Sequence, residues 1–299
     1  MREFFEAILG KENVLIDEPM KKHTTFKIGG AADVFLLIET EEQLREVLKT
    51  IKENNIPYFV LGNGSNLLVG DKGIRGTVVC LYKKMDKICV DGERITAQCG
   101  AMLSRVASNA ANAGLAGLEF ASGIPGTIGG AVYMNAGAYG PEMKDVVESV
   151  RYMDKNGEIH TVSGTECGFG YRRSMFTNSD DIILGCTFKL KKAEKKEIRA
   201  LMNELAERRV SKQPVDKASA GSVFKRPEGY FAGGLIEEAG LKGYAIGGAQ
   251  VSEKHAGFII NKGDATAEDV LNLINYIKDI VYNKNNVVLE TEIKMIGEF

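Results

Sequence analysis

The sequence predicts an α+β fold, and three observations carry that expectation. Segments with apolar residues at helical spacing stand apart from segments that alternate like strands. Two turn signals, Asp91-Gly92 and Asn156-Gly157, each fold a strand-like run into a hairpin. No strict strand–helix–strand alternation runs along the chain. At 299 residues, 44% hydrophobic and 26% charged, the chain is long enough for two or three folding units.

Thr40-Glu41-Glu42-Gln43 reads as a capping box, and Leu44, Val47, Leu48 and Ile51 then recur at helical spacing until Asn54-Asn55-Ile56-Pro57 stops the run. Strands are expected at 58–61, 67–69 and 77–81, with a hairpin over 87–99. A helix over 101–113 turns Leu103, Val106, Ala107 and Ala110 to one side, with Gly114 as its stop. Beyond a glycine-rich loop at 117–140 come a hairpin over 147–162 and a strand over 181–190. A helix over 193–209 presents Ile198, Leu201, Met202 and Leu205. Gln213-Pro214 marks a boundary, after which a strand at 257–260 precedes a helix opened by Thr266, with Val270, Leu271, Ile274 and Ile277 inward. The last strand is expected over 287–296, with Leu289, Thr291, Ile293 and Met295 on one face and Glu290, Glu292 and Lys294 on the other.

Several function classes fall away. A formal net charge of −2 gives no electrostatic reason to expect nucleic acid. The opening MREFFEAILGKENVL carries Glu3 and Glu6 and no long apolar run, so neither a signal peptide nor a membrane span is expected; the reading is a cytoplasmic protein without an obligate protein partner. Five cysteines with no C-x-x-C pair read as buried reduced thiols, Cys80, Cys89 and Cys99 among them. With three scattered histidines they form no zinc pattern, and no metal is expected.

Two glycine loops hold the most chemistry. Gly62-Asn63-Gly64-Ser65-Asn66-Leu67 starts like a dinucleotide fingerprint, but Leu67 replaces the third glycine and a strand follows, so it is no Rossmann turn. The only Gly-Lys pair, Gly10-Lys11, excludes a P-loop. The stretch from Gly117 to Gly140 has no charge between Glu119 and Gly140 and puts glycine at 123, 126, 129, 130, 137 and 140. Such loops either pack at a domain junction or offer bare backbone N–H groups to phosphate oxygens and apolar walls to a flat ring.

GNGSNLLV at 62–69, EFASGIPGTIGGAVYMNAGAYG at 119–140, FGYRRSMF at 169–176, SAGSVFKRP at 219–227 and LETEIKMIGE at 289–298 resemble, in the same order, the UDP-N-acetylmuramate dehydrogenase family. That family belongs to the FAD-binding superfamily named for p-cresol methylhydroxylase and vanillyl-alcohol oxidase. The resemblance implies FAD held by Gly62, Asn63, Gly64, Ser65 and Asn66 and by Gly123, Ile124, Pro125, Gly126, Thr127, Gly129, Gly130 and Ala131. It implies that NADPH reduces the flavin, whose N5 passes hydride to C3 of the enolpyruvyl group of UDP-N-acetylglucosamine enolpyruvate. It also implies FAD-binding subdomains at 1–80, joined by the C-terminal strand 286–299, and at 81–212, with a substrate domain at 213–285.

The family's catalytic positions match Arg172, Ser222 and Glu292. Hydride addition leaves negative charge at C2 and in the adjoining carboxylate, which must be stabilised and then protonated. Arg172 suits the carboxylate through its planar fork; its plainer alternative is an exposed arginine beside Arg173. Ser222 is a weak acid, yet adequate against so basic a carbanion; the alternative is a turn serine after Gly221. Ser222-Val223-Phe224-Lys225 also spells S-x-x-K, but S-D-N and K-T-G are missing and acyl transfer is discounted. Glu292 either faces solvent or, protonated or bridged by Lys294, meets the developing enol. Arg209, Lys212, Lys225 and Arg226 are candidates for the diphosphate or are solubilising charges; Tyr244, Gln250 and His255 are candidates for uridine or sugar. Only a few polar residues separate Phe176 from Ile182, so the chain resembles the short family type without the inserted tyrosine lid. The rival expectations are an FAD oxidase of the same superfamily and a non-catalytic UDP-sugar binding protein.

Overall fold

The computed structural model describes residues 2–299 as two compact units. The first runs to Leu15 and resumes over Val34–Asn63 and Thr77–Arg208; the second is built from Ile16–Asp33, Gly64–Gly76 and Arg209–Phe299. The chain changes unit inside three strands, Val14–Pro19, Ala31–Leu37 and Ile74–Cys80.

In the first unit an antiparallel sheet has the strand order Ile159–Ser163, Val147–Met153, Ile182–Lys189, Arg94–Gln98, Ile88–Asp91. Both predicted hairpins are present, one pairing Asp91 with Arg94 and the other Met153 with Ile159. The middle strand, Ile182–Lys189, is buried from Ile182 to Cys186, as its unbroken apolar run requires. Helices Leu103–Ala113 and Ile128–Tyr133 pack on this sheet. The second of these lies inside the expected glycine-rich loop, where Gly129 and Gly130 argue against a helix. Its first turn is held from outside: Ile128 N–H donates to Ala101 O at 2.8 Å and Gly129 N–H to Cys99 O at 2.8 Å. The unit also contains the helix Arg2–Leu9, with Phe5 and Leu9 buried, and the helix Glu41–Glu53, whose N-cap Thr40 accepts from Gln43 N–H at 3.2 Å.

Two expectations about side chains are corrected here. Cys89 is exposed while Cys80, Cys99, Cys167 and Cys186 are buried, because Ile88–Asp91 is an edge strand with its last three residues in solvent. Burial pushes the Cys99 thiol up to about 12. In the helix Lys195–Lys212 only Ile198 and Leu205 are buried; seven residues apart, they define a narrow stripe that leaves Leu201 43% exposed.

The second unit has a four-stranded antiparallel sheet in the order Ala218–Ser222, Phe258–Asn261, Ala249–Val251, Ala245–Ile246. Helices Ala232–Glu238 and Ala267–Asn285 accompany it, the longer one burying Val270, Leu273, Ile274, Ile277 and Val281. Leu273, not the expected Leu271, completes the stripe, since position 271 lies about 100° round the helix from 270. Each such aliphatic side chain contributes roughly 1.5–3 kcal/mol on burial. The expected strand over 287–296 is shorter: Lys294–Ile296 runs parallel to Leu67–Val69, and Thr291 makes a separate bridge to Phe224. Its alternation holds, with Leu289 and Ile293 buried and Glu290 and Lys294 exposed.

Acidic groups saturate the N-terminus of Ala267–Asn285. Thr266 and Asp269 form a capping box, and the Asp71 carboxylate accepts from Ala267 N–H at 2.8 Å and Glu268 N–H at 3.0 Å. The N–H groups of Gly248 and Thr266, at 3.0 and 3.1 Å, hold the Asp269 carboxyl below its usual range. A carboxyl depressed by folding stabilises fully above its unfolded value near 3.9, and this is lost as pH falls through the lower folded value. Asp269→Asn should therefore be less stable than the parent to urea at pH 7, with the gap closing by about pH 2 to 3. A gap independent of pH would show that the charge is not what stabilises.

Candidate active-site elements

In the first unit the two glycine loops meet. Asn63 Nδ2 donates to Pro125 O at 2.6 Å, and a Cβ on Gly62 would lie 2.5 Å from Thr127 Oγ1. The Thr127 hydroxyl is buried and caps the helix Ile128–Tyr133, so it has little room to move aside. Ala131 lies in the hydrophobic core, whereas Gly123, Pro125 and Gly130 are exposed and Ile124, Gly126 and Gly129 half-buried. With the amides of Ile128 and Gly129 already bonded, the backbone N–H groups of Asn63, Gly126 and Thr127, which make no hydrogen bond to another described residue, are the donors this loop pair presents. Such a cradle suits an anionic group.

Arg172 also belongs to the first unit. It sits in a tight turn in which Gly170 and Arg173 bond each other's backbone, at 3.0 and 3.3 Å. Arg172 has φ 54°, left-handed backbone that costs a non-glycine residue of order 1 kcal/mol. Its guanidinium lies 5.2 Å from the Tyr171 ring centroid, and the residue is half-buried, not fully exposed.

Ser222 and Glu292 share the second unit. Gly221, at φ 78°, sits in a bulge between Ser219 and Ser222 that turns Ser222 opposite Phe258. The Ser222 hydroxyl donates to Phe224 O at 3.2 Å. The chain then runs antiparallel to the C-terminal segment: Glu292 N–H donates to Val223 O at 2.7 Å and Lys225 N–H to Glu290 O at 2.9 Å. Asn66, expected at the cofactor, uses its side chain here, donating to Glu292 O at 3.1 Å while its own carbonyl accepts from Lys294 N–H at 3.0 Å. Sequence reasoning missed this tether, because the partners lie far apart in the chain.

His255 stands near Ser222. A Cβ on Gly257 would lie 3.1 Å from His255 Cε1 and 3.5 Å from Ser222 Oγ. Burial lowers the His255 pKa, and Nδ1 accepts from Gly257 N–H at 3.1 Å, which puts the proton of the neutral ring on Nε2.

The other candidate contacts are dispersed. Lys225 pairs with Glu290 at 3.0 Å, and Arg226 lies 4.0 Å from the Phe231 ring centroid. Tyr244 stacks on Tyr276 at 4.6 Å, and Gln250 Nε2 donates to Gly243 O at 2.9 Å, both beside the sheet edge remote from the Ser222 strand. Arg209 and Lys212 lie in the last turn of Lys195–Lys212, and Lys294 is exposed on the C-terminal strand. Gly64 and Ser65 belong with Asn66 in the second unit, where a Cβ on Gly64 would meet His23 O.

Among the described residues, Asp154, Glu158 and His160 have ligand atoms within 4.8 Å of one another. Asp154 is occupied by its own turn, accepting from Asn156 N–H, Glu158 N–H and His160. Gly62→Ala should cost about 1–3 kcal/mol in urea denaturation, since Thr127 Oγ1 cannot yield without losing its cap. Unchanged stability would mean that the loops separate freely.

Residues 32–163 match a family described as FAD binding domain, and residues 213–296 one described as UDP-N-acetylenolpyruvoylglucosamine reductase, C-terminal domain. The reductase of that name from Clostridioides difficile is 53% identical over 291 residues, spanning 97% of this chain and 96% of the relative. That of Clostridium botulinum strain Okra is 52% identical over 294 residues, 98% of this chain and 96% of the relative. The crystal structure of UDP-N-acetylenolpyruvylglucosamine reductase from Thermus caldophilus matches 95% of this chain and 98% of its own at TM-score 0.82 and 38% identity. A 4-ethylphenol oxidase from Gulosibacter chungangensis, 15% identical with TM-score 0.51 over 97% of this chain and 64% of its own, shares the fold alone. The chain belongs to the UDP-N-acetylenolpyruvoylglucosamine reductase family and has its α+β, FAD-binding fold.

Proposed function

We propose that this protein reduces UDP-N-acetylglucosamine enolpyruvate to UDP-N-acetylmuramate for peptidoglycan synthesis, using NADPH and FAD. The observation that carries the reading is identity above 50% with reductases of this name over nearly the whole of both chains. The oxidase alternative rests on likeness of fold at 15% identity, which says nothing of substrate.

The exposed and half-buried glycines of the loop pair, with the N–H groups of Asn63, Gly126 and Thr127, fit the diphosphate of FAD. Bound there, FAD supplies a two-electron relay that takes hydride from NADPH and gives it to C3 of the enolpyruvyl group. Arg172 pairs with the substrate carboxylate and spreads the charge that develops beside C2. Ser222 gives its hydroxyl proton to C2, exchanging its bond to Phe224 O for the substrate carbon. Glu292, fixed through its backbone to Val223 and Asn66 and either protonated or bridged by Lys294, orients the enolic carboxylate. Lys225, Arg226, Arg209 and Lys212, which lie around the boundary at 213–214 in sequence, are the candidates for the UDP diphosphate, and residues 213–285 the substrate-binding part. No helix among the described residues is long and apolar enough to cross a membrane, and a cytoplasmic site of action follows from a nucleotide substrate.

The direct test is an anaerobic visible spectrum of the purified protein. Flavin absorbance should bleach with NADPH and return on adding the enolpyruvyl nucleotide; reoxidation by air but not by the nucleotide would favour an oxidase. Ser222→Ala should keep the NADPH step within about two-fold and slow reoxidation by the nucleotide about 100-fold or more. Equal loss of both steps would remove Ser222 from the proton transfer.

A further inference from the structure

The turn that bears Arg172 is held by a side chain outside it. Gly170 O accepts from Arg173 N–H at 3.3 Å and also from Asn135 Nδ2 at 3.0 Å. Asn135 is fully buried and follows the helix Ile128–Tyr133 in left-handed backbone, φ 48°, which asparagine adopts more readily than most residues. Its amide is saturated: Nδ2 also donates to Glu142 Oε2 at 2.9 Å, and Oδ1 accepts from Lys144 N–H at 2.9 Å. With three partners fixed, this amide cannot follow the turn if the turn moves; it sets where Gly170 lies.

The far side of the turn rests on the same helix end. Ser174 Oγ donates to Tyr133 O at 2.7 Å and Thr177 Oγ1 to the same oxygen at 3.2 Å. Residues 133–135 thus form a platform for 170–177, and the Asn135 side chain meets the turn's own backbone at the Gly170 carbonyl.

We propose that Asn135 is a positioning residue for Arg172, holding the turn so that the guanidinium meets the substrate carboxylate; this rests on the reading of Arg172 given above. A residue needed only for folding would lower stability or weaken both half-reactions alike. A positioning residue acts through Arg172 and loses its effect once that side chain is gone.

The test is a double-mutant cycle on the FAD-loaded enzyme, with Asn135→Gly, Arg172→Ala and the double variant. Asn135→Gly keeps left-handed backbone free of strain. It should lower kcat/KM for the enolpyruvyl nucleotide about ten-fold, leave flavin reduction by NADPH within about two-fold, and add less than about two-fold in the Arg172→Ala background. Equal loss in both backgrounds, or an equally slowed NADPH step, overturns the proposal and leaves Arg172 in place. If Arg172→Ala alone is without effect, the Arg172 reading fails and the proposal with it. Asn135→Ser runs through the same cycle should Asn135→Gly fail to fold: it loses the amide donor to Gly170 O without setting a second carboxylate beside Glu142, and is held to the same outcomes.

Discussion

In the second unit everything proposed for catalysis depends on one backbone ladder, in which Glu292 N–H meets Val223 O and Lys225 N–H meets Glu290 O. Strand periodicity does the rest. Leu289 and Ile293 are drawn into the core, so Glu290 and Glu292 turn the other way, and the bulge at Gly221 turns Ser222 toward Phe258. Asn66 then locks the ladder by bonding the backbone on either side of Ile293. These restraints act on main chain, so the positions of Ser222 and Glu292 are set by the backbone.

In the first unit the constraint is space, not pairing. Gly62 lets one loop come against Thr127, and Gly129 lets the short helix sit 3.1 Å, measured from an added Cβ, from the Cys99 side chain. Close approach consumes some amides and leaves others. Those of Ile128 and Gly129 hold the helix to Cys99 and Ala101, so the amides left open at the loop pair lie before the helix, not in its first turn.

What was legible in the sequence is what short-range chemistry decides. Thr40 and Thr266 cap their helices, Asp91-Gly92 and Asn156-Gly157 turn their hairpins, and the alternation of 289–293 sorts core from surface. What was hidden depends on distant partners. The helix Ile128–Tyr133 has poor local propensity and is held by carbonyls about thirty residues earlier; the C-terminal strand is cut short because it changes partner from Phe224 to Leu67–Val69. Asn66 and Asn135 look like loop asparagines until the carbonyls they hold are known. Motif order across the chain gave the family, but the order of motifs carries no geometry.

The route of the chain has a consequence for its synthesis. The second unit needs Ile16–Asp33 and Gly64–Gly76, made early, and Arg209–Phe299, made much later. The strand Leu67–Val69 finds its partner Lys294–Ile296 only after the long stretch between them has been made. Until then Leu68, fully buried in the finished fold, and the unpaired edge beside it stay open to solvent and to other chains. A protein threaded in this way has to reach Ile296 before that half of it can fold, so the growing chain carries an adhesive edge while the residues in between are made.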